Sequence, residues 1–402
     1  MKQRLIPLLL AGLLALGGAA CSQTQADPTS TPTASPVPEA QPTPTPPAAM
    51  DKEELRVGFL YPGDQSDQGY TRNLAAGAAE LAQDLELEEG QILERYNVGT
   101  EEDPAQAAQA LADEGCQIVF STSAAFREEM IQAAEEHPEV QFCQIAGGAQ
   151  EETEAGAENL HFYYPAVHEG RYLAGIAAGL KAKELGNPRL GYVAPEACAE
   201  VISGFTAFYL GARSVYPEAV MDVLYTGSWD DAALDSRAAK TLVNRGGAVL
   251  GQHTDSTGAA TMAEQLGAFY AGFGSDQRSH APGAALLSVG VNWGLYFTQA
   301  VQGVLDGSGV PEEWNLGWAD GAVGLTPLNG SLAASGTQEA LEAAEQALLA
   351  GELEVFSGPL QGENAAGETL ELAEGEHYAE GTPDCGPTFD YLVEGITVVA
   401  QS

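Results

Sequence analysis

The hexapeptide QHTDST (252–257) follows the apolar run GAVLG and sets a histidine, an aspartate, a serine and two threonines side by side. His253, Asp255 and Ser256 are the residue types of a hydrolytic triad, in which an imidazole takes the proton of a hydroxyl nucleophile and a carboxylate orients the imidazole. Triad members normally converge from separated elements, and the chain has no G-x-S-x-G elbow to present a nucleophile. The same residues suit two other tasks. Asp255 or Ser256 can cap a helix, and a carboxylate at a strand end can accept hydrogen bonds from a ligand. Lining a pocket is the preferred reading, and no enzyme activity is expected.

Other polar clusters end apolar runs in the same way. Asp67 and Tyr70 stand in SDQGYT after VGFLY, and Ser123 and Phe126 stand in STSAAF after IVF. Trp229 stands in TGSWDD, and Asp276 in GFGSDQ. A serine or threonine of STSAAF caps the following helix, whose free N–H groups could also meet ligand oxygens. Phe126 and Trp229 could equally serve as packing residues. Metal chemistry is not indicated: the six histidines are scattered, and Cys116, Cys143, Cys198 and Cys385 show no C-x-x-C spacing. These four read as buried thiols, with a Cys116–Cys143 bridge left open. No cofactor is expected. Sixteen Lys and Arg against 57 Asp and Glu give a net charge of −41, which repels phosphate backbones and excludes nucleic-acid binding by charge.

Short apolar runs alternating with amphipathic stretches must position these clusters. LRVGFLY, CQIVFST, VQFCQIAG, RLGYVAP, AVMDVLYTGSW and GAVLGQHTDS read as strands. NLAAGAAELAQDLE, AAFREEMIQAAEEHP, EGRYLAGIAAGLKAKEL, EVISGFTAFYLGARSVYP and DSRAAKTLVNRG read as helices. Such alternation predicts parallel α/β sheets, and 402 residues are too many for one core, so two lobes are expected. Ligands of open α/β sheets sit beyond the carboxyl ends of the strands, where the polar clusters lie.

The N-terminus MKQRLIPLLLAGLLALGGAAC has the basic start, short apolar stretch and small residues of a secretory signal, ending at Cys21. Small residues before a lone Cys resemble a lipobox, in which Cys21 would carry the lipid. Residues 22–50 are rich in Pro, Thr, Ser and Ala and read as an extended tether.

Together, VGFLYPG, EGRYLAGIAA, GFTAFYLGARSVYP, GSWDDAALDSRAAKTLVNRG, QHTDST, GSDQRSHAP and NWGLYF resemble, in order, the basic membrane protein (purine nucleoside receptor-like) family of lipoproteins. The resemblance spans about residues 54–360. It implies a periplasmic-binding-protein type I fold: α/β, two Rossmann-like lobes with parallel sheets and three hinge crossings, near 160–166, 284–291 and 315–326. It also implies the substrate-binding subunit of an ABC transporter, lipid-anchored on the extracytoplasmic face of the cell membrane. That subunit would capture a purine nucleobase or nucleoside by lobe closure, with permease and ATPase subunits as partners. A membrane-anchored ligand sensor of the same fold is the alternative. The resemblance assigns Asp67, Tyr70, Phe126 and Asp276 to the ligand, and Trp293 is the matching residue of the branch with Trp in its segment. Many nucleoside-binding relatives carry a Lys in that segment and this chain has none, which favours a free nucleobase such as adenine. The expected layout is a signal (1–20), a lipid-anchored linker (21–52), an N-lobe (53–163 with 288–318), a C-lobe (164–287 with 319–360) and an acidic C-terminal extension (361–402).

Overall fold

The computed structural model describes residues 49–67, 69–147, 157–382 and 385–400. The signal-like segment, Cys21 and the tether up to residue 48 lie outside the described residues. No helix among the described residues is long and apolar enough to cross a membrane.

The first half runs β1 (Val57–Leu60), α1 (Tyr70–Asp84), β2 (Ile92–Arg95), α2 (Pro104–Asp113), β3 (Ile118–Ser121), α3 (Arg127–Glu136), β4 (Gln141–Ile145) and β5 (Leu160–Tyr163). Its strands pair in parallel in the order β5-β4-β3-β1-β2, with Val57 opposite Ile92 on one side and Ile118 on the other. A parallel strand covered on both faces has no solvent side, which is why β1 and β3 are buried at every residue.

The second half runs α4 (Val167–Glu184), β6 (Arg189–Ala194), α5 (Ala199–Val215), β7 (Val220–Tyr225), α6 (Ala232–Asn244), β8 (Val249–Gln252), α7 (Gly258–Leu266), β9 (Phe269–Phe273) and β10 (Ala285–Val291). These strands form a second parallel sheet in the order β10-β9-β8-β6-β7. The chain then returns. In α8 (Trp293–Asp306), Tyr296 stacks on Tyr163 at 4.3 Å and Phe297 meets Phe59 edge-on at 5.0 Å, so this helix packs on the first sheet. β11 (Glu313–Trp314) extends the first sheet beside β5, and β12 (Val323–Leu325) lies antiparallel to β10 in the second. α9 (Thr337–Leu349) follows.

The chain therefore passes between the sheets after Tyr163, after Val291 and after Trp314. The second passage falls later than the 284–291 expected from sequence. β10 pairs with β9 as far as Val289 and with β12 as far as Val291, opposite Val323, so residues 288–291 belong to the second sheet.

The tail, read from its composition as an acidic extension, is folded into the second half. β13 (Leu360–Glu363), β14 (Thr369–Leu372) and β15 (Leu392–Val393) form a small antiparallel sheet. β16 (Ile396–Val398) then adds in parallel to β7 and completes the second sheet. Cys116, Cys143 and Cys198 are free thiols; Cys116, Cys143 and Cys385 are buried and Cys198 is half-buried.

Helices α4 and α5 pack closer than side chains usually permit. A Cβ on Gly211 would lie 1.9 Å from the Tyr172 carbonyl oxygen, and one on Gly175 would lie 2.0 Å from that of Phe208. Glycine at these points lets the two backbones touch, which sets how α5 delivers its N-terminus to the cleft between the sheets.

Candidate functional site

A cleft of about 560 Å³ opens where the carboxyl ends of both sheets face each other. The first sheet contributes the loop after β1 with Asp64, Asp67 and Tyr70, Asn97 after β2, Ser123 after β3 and Ile145 from β4. The second contributes Glu196 after β6, Glu200 in the first turn of α5, Trp229 and Asp230 after β7, His253 and Asp255 after β8, and Phe273 from β9. Tyr164 and Val167 come from the first crossing and Trp293 from the second.

Six of the expected site residues, Asp67, Tyr70, Ser123, Trp229, Asp255 and Trp293, line this cleft. Most also have a structural task. Asp67 accepts from the N–H groups of Thr71 and Arg72 at 2.7 and 2.9 Å, where the exposed donors of a helix start favour an anion. Tyr70 donates its hydroxyl to the Thr122 carbonyl at 2.8 Å and meets Trp293 edge-on at 6.4 Å. Burial, then Glu200, Asp255 and Asp67, push that phenol's pKa well above its ordinary value, so Tyr70 is neutral. Ser123 caps a short 3-10 turn through Ala125 N–H at 3.3 Å. Trp229 is 36% exposed, and its indole N–H donates to Glu196 at 3.1 Å.

Two expectations change. Phe126 is buried away from the cleft, its ring within 3.1 Å of where a Cβ on Gly99 would stand. It packs the first half and does not line the cleft. Asp276 lies outside the cleft as well. It caps the turn Gln277–Ser279 through Arg278 N–H at 3.0 Å and pairs with the Arg278 guanidinium, which lowers its pKa. The arginine two residues on consumes the carboxylate.

The triad residues do not assemble. Ser256 donates its hydroxyl to Asp235 at 2.5 Å, not to His253. His253 is 3% exposed, and its Nε2 stands 3.7 Å from Glu200. Burial, then the Arg171 guanidinium, push the imidazole pKa down to about 4, so the ring is neutral. Ser256 also accepts from Gly258 N–H at 3.1 Å, so the serine and not Asp255 serves the start of α7. Among the described residues, no group donates to the Asp255 carboxyl. Burial, then Asp67 and Asp230, push its pKa well up.

The cleft is thus rich in carboxyl groups and aromatic faces, and none of the described residues lining it is a lysine or arginine. Arg171 stands behind the wall, its guanidinium 3.8 Å from the Phe273 ring centre. Asn97, Glu196, Glu200, His253 and Phe273 were not among the expected ligand residues, although all but Asn97 lie at or just beyond the ends of strands that the sequence shows.

A family profile described as ABC transporter substrate-binding protein PnrA-like matches residues 54–355. The chain belongs to this family. It is 31% identical over 315 residues to a purine-binding protein of Brucella abortus (strain 2308), covering 78% of this chain and 86% of that one. An ABC transporter solute-binding protein of Aeropyrum pernix K1 superposes with a TM-score of 0.62 at 18% identity, over 75% of this chain and 92% of its own. One from Conexibacter woesei DSM 14684 gives 0.60 at 20%, over 75% and 98%. These two solved structures establish the fold, the periplasmic-binding-protein type I architecture. Membership makes the chain an extracytoplasmic solute-binding component of an ABC transporter, which works with a permease and an ATPase.

Asp235 gives a pH prediction for the cleft wall. It is fully buried, accepts from Thr254 at 2.7 Å and from Ser256, and burial raises its pKa to about 6. A carboxyl whose folded pKa lies above its unfolded value stabilises the fold below the unfolded pKa. That contribution is lost as pH rises through the folded pKa. Asp235→Asn should therefore gain stability relative to wild type between about pH 4 and pH 7, by on the order of 2–3 kcal/mol. Urea unfolding of both proteins across that range checks it; a difference independent of pH would contradict it.

Proposed function

We propose that this protein captures a purine, a nucleobase in preference to a nucleoside, between its two halves and delivers it to a membrane permease. The carrying observation is the lining of the cleft. Tyr70, Trp229, Phe273 and Trp293 offer aromatic surface, carboxyl groups offer hydrogen-bond acceptors, and no lysine or arginine among the described residues lines the ligand space. Flat bases stack on aromatic rings for about 1–3 kcal/mol each, and carboxylates accept from ring and exocyclic N–H groups. A phosphorylated nucleotide would meet repulsion with no lining cation to offset it. The purine-binding relative supports the same ligand class.

Capture works by lobe closure about the three crossings, and the ligand favours the closed form to the extent that it binds both walls. The Cys21 lipid and the Pro-rich tether would hold the receptor at the outer membrane face. Small-angle scattering tests closure: saturating adenine should reduce the radius of gyration. An unchanged radius with bound adenine would remove closure from the account.

A further inference from the structure

The C-terminal segment lies beyond the family match, which ends at residue 355, yet it is tied to the hinge. Asn315, on the third crossing, donates its side-chain amide to the Tyr164 carbonyl on the first crossing and to the Cys385 carbonyl in the tail, both at 2.9 Å. The tail is held to the second half by the Tyr209 hydroxyl, which donates to the Glu394 carbonyl at 3.1 Å, and by β16. Phe389 stacks on Phe356 at 4.1 Å. The segment is a strap across the hinge.

Between strap and ligand cleft lies a small pocket of about 10 Å³, about the room of one water. Tyr164, Glu200 and His253 line both this pocket and the cleft; Ser203, Asn315 and Glu380 complete its polar wall. Two buried atoms of residues in that wall, His253 Nδ1 and Glu380 Oε1, have no hydrogen-bond partner among the described residues. Nδ1 lies on the side of the imidazole facing Gly204, another wall residue, because a Cβ there would approach it to 2.8 Å. Glu380 is held in place by its other oxygen, which accepts from Phe389 N–H at 2.9 Å and from Thr388 N–H at 3.2 Å and its hydroxyl at 3.3 Å. Ser203 lies beside Glu380, and its hydroxyl offsets part of the cost of burying the carboxyl. Leaving a buried polar atom unmatched is costly, and two such atoms on one water-sized pocket share a remedy.

We propose that a single water binds here, donating one hydrogen to His253 Nδ1 and the other to Glu380 Oε1, and that Glu380 is thereby a positioning residue for the ligand cleft. The neutral imidazole then accepts at Nδ1 and keeps its proton on Nε2, toward Glu200 at 3.7 Å. The strap reaches the cleft through this bridge without touching ligand. Movement of the halves about Tyr164 and Asn315 must remake the bridge, so strap and cleft bias each other reciprocally.

The test uses the full chain without added ligand, so it does not depend on the purine reading. Long-range proton–nitrogen spectra report the His253 ring nitrogens, assigned with His253→Gln. Glu380→Ala should shift the His253 nitrogen signals and speed amide exchange at residues 253–256 by about tenfold. Thr388→Val, which loosens the strap on the other side of the carboxyl, should raise exchange in the strap and leave His253 unmoved. An unaltered His253 signal in Glu380→Ala, or an equal shift in Thr388→Val, would overturn the proposal.

Discussion

Gly211→Ala is expected to destabilise the protein by about 3–5 kcal/mol. The added methyl would stand 1.9 Å from the Tyr172 carbonyl oxygen, and backbone on a packed helix cannot step aside as a side-chain tip can. Either α4 and α5 separate or the turn around Tyr172 distorts, and both expose the core of the second half. Gly330→Ala is the control, because a Cβ there meets nothing within 4 Å; its effect should stay within about 0.5 kcal/mol. Urea unfolding midpoints compare them. Equal midpoints for the two variants would mean that the close helix contact is not needed for stability.

Loss of aromatic surface should have the largest effect on binding. Tyr70→Ala or Trp229→Ala should each weaken adenine binding by about 1–3 kcal/mol, roughly 5- to 150-fold in Kd. The two differ in what else they disturb. Tyr70 also gives up its bond to the Thr122 carbonyl, so Tyr70→Phe separates the ring's contribution from the hydroxyl's. Trp229 is partly exposed, its indole N–H donates to Glu196 and its ring meets His253 edge-on at 6.0 Å, so its removal should leave the ligand-free protein close to wild-type stability. Asp276→Asn is the internal control. With its carboxylate paired to Arg278 outside the cleft, it should change Kd by less than about twofold. Titration calorimetry measures all of these; an Asp276→Asn loss larger than that of Trp229→Ala would reverse the assignment of the wall.

Much of this arrangement was legible as pattern. Buried runs such as VGFL and IVFS announce parallel strands, and the rule that ligands sit beyond strand ends leads to the segments that hold Asp67, Tyr70, Ser123, Trp229 and Asp255, with Asp67 and Tyr70 singled out by the family resemblance. The rule fails where an element does not look like itself. β2 reads ILER and is only partly buried, so neither the strand nor Asn97 at its end stood out. Glu196 lies in the short link between β6 and α5 and Glu200 in the first turn of α5, a stretch that holds no aromatic to draw notice. Phe126 and Asp276 show the opposite failure. Each has a plausible type at a plausible place, but Gly99 covers one and Arg278 neutralises the other. The Arg278 pairing could have been suspected from two residues' separation; the Gly99 contact depends on tertiary packing. The strap was hidden for a different reason. Its acidic, Gly-rich composition says nothing of Phe389, Tyr209 and Asn315 as anchor points, since those contacts join distant stretches of chain.

The central claim is that the cleft takes an uncharged purine and refuses a phosphorylated one. The most direct measurement is calorimetric titration of the purified, ligand-stripped protein with adenine, adenosine, guanosine and AMP under identical conditions. The account predicts binding of adenine at least as tight as that of either nucleoside, and no measurable heat with AMP. Tight AMP binding, or no binding of any of the four, would contradict it.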